Sequence, residues 1–158
     1  MAYGPAANRE LSRPECSGDA PRLGHHLRPS PEVGGCSGAG RRILVAEDNV
    51  ILSMHLCDVL EDAGATVIGP FVQADEALDA LSSEMATGSC DAALLDVHLA
   101  TGDSRPIAER LAEADIPFAY FTSCASHDLS AWPGDAPVVT KPATSAQVVA
   151  ALSSVIDA

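Results

Sequence analysis

From residue 42 onward, the hydrophobic and polar positions follow two alternating patterns. Short apolar runs predict strands that are buried on both faces, whereas apolar residues spaced three and four apart predict amphipathic helices. The predicted strands are 42–46, 66–68, 92–95, 117–121 and 138–139, and the helical stripes cover 52–63, 74–85, 107–114 and 144–156. Strands that alternate with helices predict an α/β fold, a five-stranded parallel sheet with helices on both faces.

Local signals define two helix ends and weaken one helix. Gly64 can end the first helix in the left-handed conformation, and Thr144 with Gln147 has the spacing of a capping box at the start of the last helix. Between the fourth and fifth strands, the stretch SCASHDLSAWPGDAP contains Pro133, Gly134 and Pro137. We therefore expect the helix between these two strands, which would be the fourth of five in chain order, to be short or irregular.

The first forty residues differ from the rest of the chain. Residues 1–40 are rich in proline and glycine and lack apolar periodicity, which predicts a disordered tail ahead of a folded domain over 41–158. The glycines from Gly35 to Gly40, followed by Arg41, match a phosphate-binding loop only weakly, because they precede a strand and lack its lysine. A plain linker is the preferred interpretation.

Composition and charge exclude several classes of protein. The chain has 158 residues, 47% hydrophobic and 20% charged, which is a globular composition with enough length for one core. Residues 43–158 carry three basic side chains against eighteen acidic ones, so we expect no nucleic-acid partner. No apolar run approaches the ~20 residues that span a bilayer, and the N-terminus lacks the apolar centre of a signal peptide. We expect a cytoplasmic protein with no membrane partner.

The cysteines predict neither a zinc site nor a disulfide framework. Their number is odd and no two of them have CxxC spacing, so reduced and mostly buried thiols are expected. They are Cys16, Cys36, Cys57, Cys90 and Cys124.

Polar residues follow four of the predicted strands. Glu47 and Asp48 follow the first strand, Asp96 the third, Thr122 the fourth and Lys141 the fifth. Because sites in open parallel sheets form beyond the carboxyl ends of the strands, we expect these groups to converge. Three carboxylates close together repel one another, and Mg²⁺ relieves that conflict where carboxylates and a phosphate share the ion.

Lys141 is the only lysine in the chain. Because its ammonium is a compact charge on a flexible stem, it can pair with Asp96 at rest and move to an added phosphoryl group. Each residue alone has an ordinary explanation, since Glu47 and Asp48 could be acids favoured by a helix N-terminus and Thr122 a strand threonine. Their combination favours a functional site.

Four motifs in order carry a resemblance to a known family: RILVAEDN, ALLDV, FTS and TKP. Through them, residues 42–157 resemble the receiver domain of two-component response regulators, which implies a flavodoxin-like, CheY-like fold. The stretch DVHLATGDSRPIAERLAEADIPFAYFTS is similar to the stand-alone subgroup called FAT GUY, whose members carry PFxFATGY. Here that motif is PFAYFTSCA. Val138 stands where most receivers have an aromatic switch residue, and members of the subgroup lack that aromatic residue too.

The resemblance implies a role for each site residue. Asp96 would accept the phosphoryl group, Thr122 would hydrogen-bond a phosphoryl oxygen, and Lys141 would form an ion pair with it. The bond from Lys141 to Pro142 would be cis, as is typical of the family. The His98 side chain is expected to be exposed in a loop. The implied magnesium ligands are Glu47 through water, Asp48, Asp96 and the backbone carbonyl of His98.

The leading hypothesis is a single-domain response regulator, phosphorylated by a histidine kinase or a phosphotransfer protein. It would act on a downstream protein target as a monomer or weak dimer. It would not be an enzyme beyond self-catalysed phosphotransfer to Asp96 and autodephosphorylation. A switch through an order–disorder change in residues 123–136 is a further hypothesis.

Three alternatives remain. A degenerate receiver would bind partners without phosphorylation. A phosphatase of the haloacid dehalogenase type would need a second aspartate where His98 stands. A nucleotide- or flavin-binding fold would need a glycine-rich phosphate cradle where Glu47 and Asp48 stand.

Overall fold

The structure, a computed structural model, describes residues 40–123 and 129–158. The predicted tail, apart from Gly40, and Cys124 lie outside the described residues, as does part of the proposed switch segment. Cys57 and Cys90 are free and only partly buried, and burial raises the pKa of the Cys90 thiol to about 11. Within the two described ranges, no helix is long and apolar enough to cross a bilayer.

Five parallel strands form the central sheet, which confirms the predicted architecture. The strands are β1 Arg42–Ala46, β2 Thr66–Phe71, β3 Ala92–Leu95, β4 Phe118–Thr122 and β5 Val138–Thr140, in the spatial order β2-β1-β3-β4-β5. The side chains of the three middle strands are nearly all buried, because helices cover both faces of the sheet.

Strand β2 is three residues longer than its apolar run predicts. The strand continues through Gly69 and Pro70, which are joined by a cis peptide bond, to Phe71. A proline within a strand is tolerated here because β2 lies at an edge of the sheet. The Phe71 carbonyl accepts a hydrogen bond from the Glu47 backbone N–H at 2.9 Å, which ties this edge to the end of β1.

Four α-helices pack in pairs on the two faces. The helices are α1 Val50–Asp62, α2 Ala74–Thr87, α3 Arg105–Glu113 and α4 Ser145–Ile156. Helices α1 and α4 share a core cluster with Phe121, and α2 and α3 share the other with Tyr120. Gly64 follows α1 with φ 88°, and the Thr144–Gln147 capping box is present at α4, so both predicted helix ends are confirmed.

A short hairpin follows β3 and was not predicted. His98–Leu99 pairs antiparallel with Gly102–Asp103. Two-residue strands are too short to produce a periodic pattern, so the sequence carries no signal for them. His98 is exposed, as expected, but it lies in this hairpin strand, so the loop assignment was wrong.

Between β4 and β5, the described part of the chain has one turn of 3₁₀ helix, Leu129–Ala131, which confirms the expected short or irregular element. Trp132 then packs on the core, with its ring centroid 5.6 Å from that of Tyr120. The Tyr120 hydroxyl donates to the Pro133 carbonyl at 3.2 Å. Gly134 has φ 78°, and a Cβ there would lie 2.8 Å from the Phe118 ring. Close approach to β4 therefore favours glycine at this position.

Candidate acidic site at the carboxyl end of the sheet

The chain topology brings the predicted site residues to one place. Glu47, Asp96 and Lys141 each come directly after a strand, at the ends of β1, β3 and β5. Strand order reverses beside β1, which has β2 on one side and β3 on the other. Crevices at such reversal points are where open α/β sheets bind ligands.

Three carboxylates meet at this end of the sheet. Glu47, Asp48 and Asp96 each offer an oxygen, and these atoms all lie within 4.8 Å of one another. Glu47 and Asp96 are buried, whereas Asp48 is exposed and faces the solvent. Oxygen donors of this kind are the ligands that Mg²⁺ and Ca²⁺ take in proteins, so the cluster could hold such an ion.

Lys141 joins two of the three carboxylates. Its Nζ lies 2.5 Å from Asp96 Oδ2 and 2.6 Å from Glu47 Oε2. Only 13% of the Lys141 side chain is exposed, so the ammonium is largely desolvated. The Lys141 backbone N–H donates to the Thr122 carbonyl at 2.8 Å, and the bond to Pro142 is cis. The predicted pairing with Asp96 is present, and the second partner, Glu47, was not predicted.

Glu47 is held by local structure as well as by Lys141. Its Oε1 accepts a hydrogen bond from the Asn49 backbone N–H at 3.1 Å, while the Asn49 side chain caps α1 by accepting from the Leu52 N–H. Burial raises the pKa of Glu47 above its usual value, and the Lys141 ammonium offsets part of that rise. A buried carboxyl of this kind favours a nearby cation.

The remaining predicted residues lie around Asp96. The His98 backbone N–H donates to Asp96 Oδ1 at 3.3 Å, and the His98 side chain points outward. Thr122 is the last residue of β4 and is fully buried. Val138, at the position of the aromatic switch residue in most receivers, is 46% exposed on β5.

Two features beside the site were missed at the sequence level. The ring of Phe121 lies next to the ammonium, with Lys141 Nζ 5.0 Å from its centroid. The first two turns of α1 expose three large apolar side chains, Val50, Ile51 and Met54. The apolar spacing predicted which face of α1 is buried. It gave no sign that further apolar residues on this helix would be exposed.

No protein-family model and no curated protein matches the chain. Solved structures do match. A response regulator receiver protein from Sinorhizobium medicae WSM419 is 27% identical, with a TM-score of 0.68, over 75% of this chain and 96% of that one. SdrG from Sphingomonas melonis Fr1 is 35% identical, with a TM-score of 0.61, over 77% of this chain and 98% of that one. The chain therefore has the fold of the response regulator receiver domains.

A third match shows this fold with a modified aspartate. A response regulator protein from Burkholderia pseudomallei, solved with a phosphorylated aspartic acid and a calcium ion, is 25% identical with a TM-score of 0.62. The match covers 71% of this chain and 66% of that chain. The acidic cluster of this chain has the oxygen donors that such an ion takes.

Proposed function

We propose that Asp96 accepts a phosphoryl group in a magnesium-dependent reaction, from a histidine kinase or a histidine phosphotransfer protein. The observation that carries this proposal is the grouping of three carboxylates within 4.8 Å of one another, with a lysine ammonium 2.5 Å from Asp96. Stability alone does not require such a grouping, because three acids share a single cation. The site suits a ligand that brings more positive charge.

The residues present fit Mg²⁺. The candidate ligands are oxygens, and after Lys141 is counted the cluster keeps an excess of two negative charges. When bound, the ion would neutralise charge on the carboxylates and on the incoming phosphoryl oxygens. The residues that would hold it are Asp48 and Asp96 directly, Glu47 through water, and the backbone carbonyl of His98.

In the transfer step, an Asp96 carboxylate oxygen would attack the phosphorus of a phosphohistidine. An O–P bond forms, the N–P bond breaks, and the electron pair returns to the imidazole nitrogen of the donor. Lys141 would then pair with the new phosphoryl oxygens, and Thr122 would donate its hydroxyl to one of them. Positioning and charge neutralisation account for catalysis of this type.

A protein donor and a protein target suit the surface around the site. Val50, Ile51 and Met54 are 63%, 83% and 62% exposed on α1, and grouped apolar side chains of this kind typically mark protein contacts. The acidic balance of residues 43–158 disfavours nucleic acid. Signalling would therefore pass to a downstream protein.

The proposal also covers the receiver subgroup, the cellular location and the oligomeric state. The PFAYFTSCA stretch and Val138 support membership of the FAT GUY receivers. We expect a cytoplasmic monomer or weak dimer, with residues 1–40 as a tail, and with no catalysis beyond its own phosphorylation and dephosphorylation.

Acetyl phosphate with Mg²⁺ tests the proposal. Wild-type protein should gain the mass of one phosphoryl group, and Asp96→Asn should not. Asp62→Asn, at the exposed end of α1, is a matched control that should gain the mass as wild type does. If no phosphoryl group is added with any of these proteins, or if Asp96→Asn binds partners as wild type does, the degenerate receiver is the better description.

A further inference from the structure

The Lys141 ammonium has a third neighbour besides its two carboxylates. Its Nζ lies 5.0 Å from the centroid of the Phe121 ring, inside the ~6 Å range in which a cation is attracted to an aromatic face. Phe121 is 2% exposed and the Lys141 side chain 13% exposed, so water screens this contact little. The attraction is stronger at a desolvated site than at an exposed one.

The position of this ammonium is not fixed by its own side chain. A lysine stem has four rotatable carbons, and its charge is a point that can follow any nearby carboxylate. An apolar cavity of about 310 Å³ adjoins the stem, lined by Lys141, Phe121, Leu56 and Val148 among others. A smaller side chain at 121 would enlarge this space and leave the stem with more rotamers.

We propose that Phe121 is a positioning residue for phosphoryl transfer, because its ring holds the Lys141 ammonium beside Asp96. The inference rests on the proposed phosphorylation of Asp96 and gives a role to Phe121, the first residue of the FTS motif, to which the family resemblance assigns none. Phe121 directly precedes Thr122 on β4, so the ring and the switch hydroxyl come from one strand end. A purely structural Phe121 would fill the core between α1 and α4 and leave the lysine unaffected.

The single lysine makes the contact directly measurable. Full-length protein labelled on lysine alone gives one set of side-chain NMR resonances, because Lys141 is the only lysine. The ring current of Phe121 should shift the Lys141 ε-protons upfield, Phe121→Leu should remove that shift, and Phe121→Tyr should keep it. Equal ε-proton shifts in wild type and Phe121→Leu would overturn the contact, whether or not the protein is phosphorylated.

Kinetics test the positioning role. With acetyl phosphate and saturating Mg²⁺, we expect Phe121→Leu to slow phosphorylation about fivefold, equivalent to ~1 kcal/mol in the barrier, and Phe121→Tyr to restore the rate. Phe118→Leu is the matched control, because Phe118 lies on the same strand but packs against the opposite core. It should match wild type in both the rate and the lysine resonance.

The outcomes separate the two proposals. A phosphorylated wild type with Phe121→Leu equally fast, or with Phe118→Leu equally slow, would overturn the role of Phe121 and leave the proposed function intact. A wild type that takes no phosphoryl group would overturn the proposed function and, with it, any positioning role.

Discussion

The two ends of the sheet differ in how their charged side chains are paired and buried. At the amino end, Arg42 pairs with Glu84 at 2.8 Å and Arg41 with Asp91 at 3.2 Å, and all four side chains keep substantial contact with solvent. At the carboxyl end, Glu47 and Asp96 are buried and share one lysine. The amino end has two cations for two acids, whereas the carboxyl end has one cation for three.

This difference separates charges that are already paired from charges that still lack a counter-ion. The amino-end pairs are complete, so nothing further is needed to neutralise them, and solvent screens them. The carboxyl end is incomplete and partly desolvated, and burial there raises the pKa of Glu47. A protein that needed only stability would not leave the second arrangement at a buried strand end. We therefore expect changes at the carboxyl end to be large and dependent on Mg²⁺.

Removal of Lys141 should produce the largest effect on stability. In metal-free buffer, Lys141→Ala leaves Glu47 and Asp96 buried without their cation, and we expect a loss of about 3 kcal/mol in the free energy of unfolding. Mg²⁺ at about a hundred times its Kd adds ~2.7 kcal/mol to a protein that binds it only when folded, so it should recover most of the loss. Urea unfolding with and without Mg²⁺ measures both changes.

The stability of Asp96→Asn is the control for this prediction. That variant removes one negative charge and should lose less in metal-free buffer than Lys141→Ala, with a weaker response to Mg²⁺. Equal metal-free stability of wild type and Lys141→Ala would show that the carboxyl end does not depend on its lysine, and the contrast between the two ends would fail.

The sequence predicts the sheet, and the grouping of the residues that follow its strands, for a simple physical reason. Each middle strand is an apolar run such as ALL before Asp96, and a residue that directly follows a parallel strand can only lie at the carboxyl edge. Backbone topology alone therefore brings Glu47, Asp96 and Lys141 together. No side-chain detail is needed for that step.

Side-chain details were not predictable in the same way. Glu47 shares the lysine because the Asn49 N–H holds its other oxygen, and this depends on the angle at which α1 leaves β1. Phe121 belongs to an apolar strand run, and only the packed structure reveals that its ring reaches an ammonium. The hairpin at His98 and the extension of β2 are too short or too irregular for any periodic signal.

A matched change at the amino end should have a smaller effect. Arg42→Ala removes the ion pair with Glu84 and a 2.9 Å hydrogen bond to the Ser89 carbonyl, and we expect a loss of about 1 kcal/mol because solvent partly screens the pair. Urea unfolding at two salt concentrations measures it. The loss should shrink at high salt and be the same with or without Mg²⁺. A magnesium-dependent loss would mean that the two ends are coupled.

Tyr120 lies between the two ends of the sheet, and its pKa reports the effect of burial on a group that is not paired with a carboxylate. Burial raises its pKa to about 12, and nearby Arg105 lowers it in part. Because an unfolded tyrosine has a pKa of about 10, the neutral phenol contributes full stability below pH ~10 and this contribution is lost as the pH rises through the folded value. Titration of the wild type should show a phenolate absorbance step near pH 12 that is absent in Tyr120→Phe. Between pH ~10 and about 12, the free energy of unfolding should fall more in the wild type than in that variant. A step near pH 10 in the folded protein would mean that water reaches the centre of the sheet, and the large effects expected at the carboxyl end would then have to be smaller too.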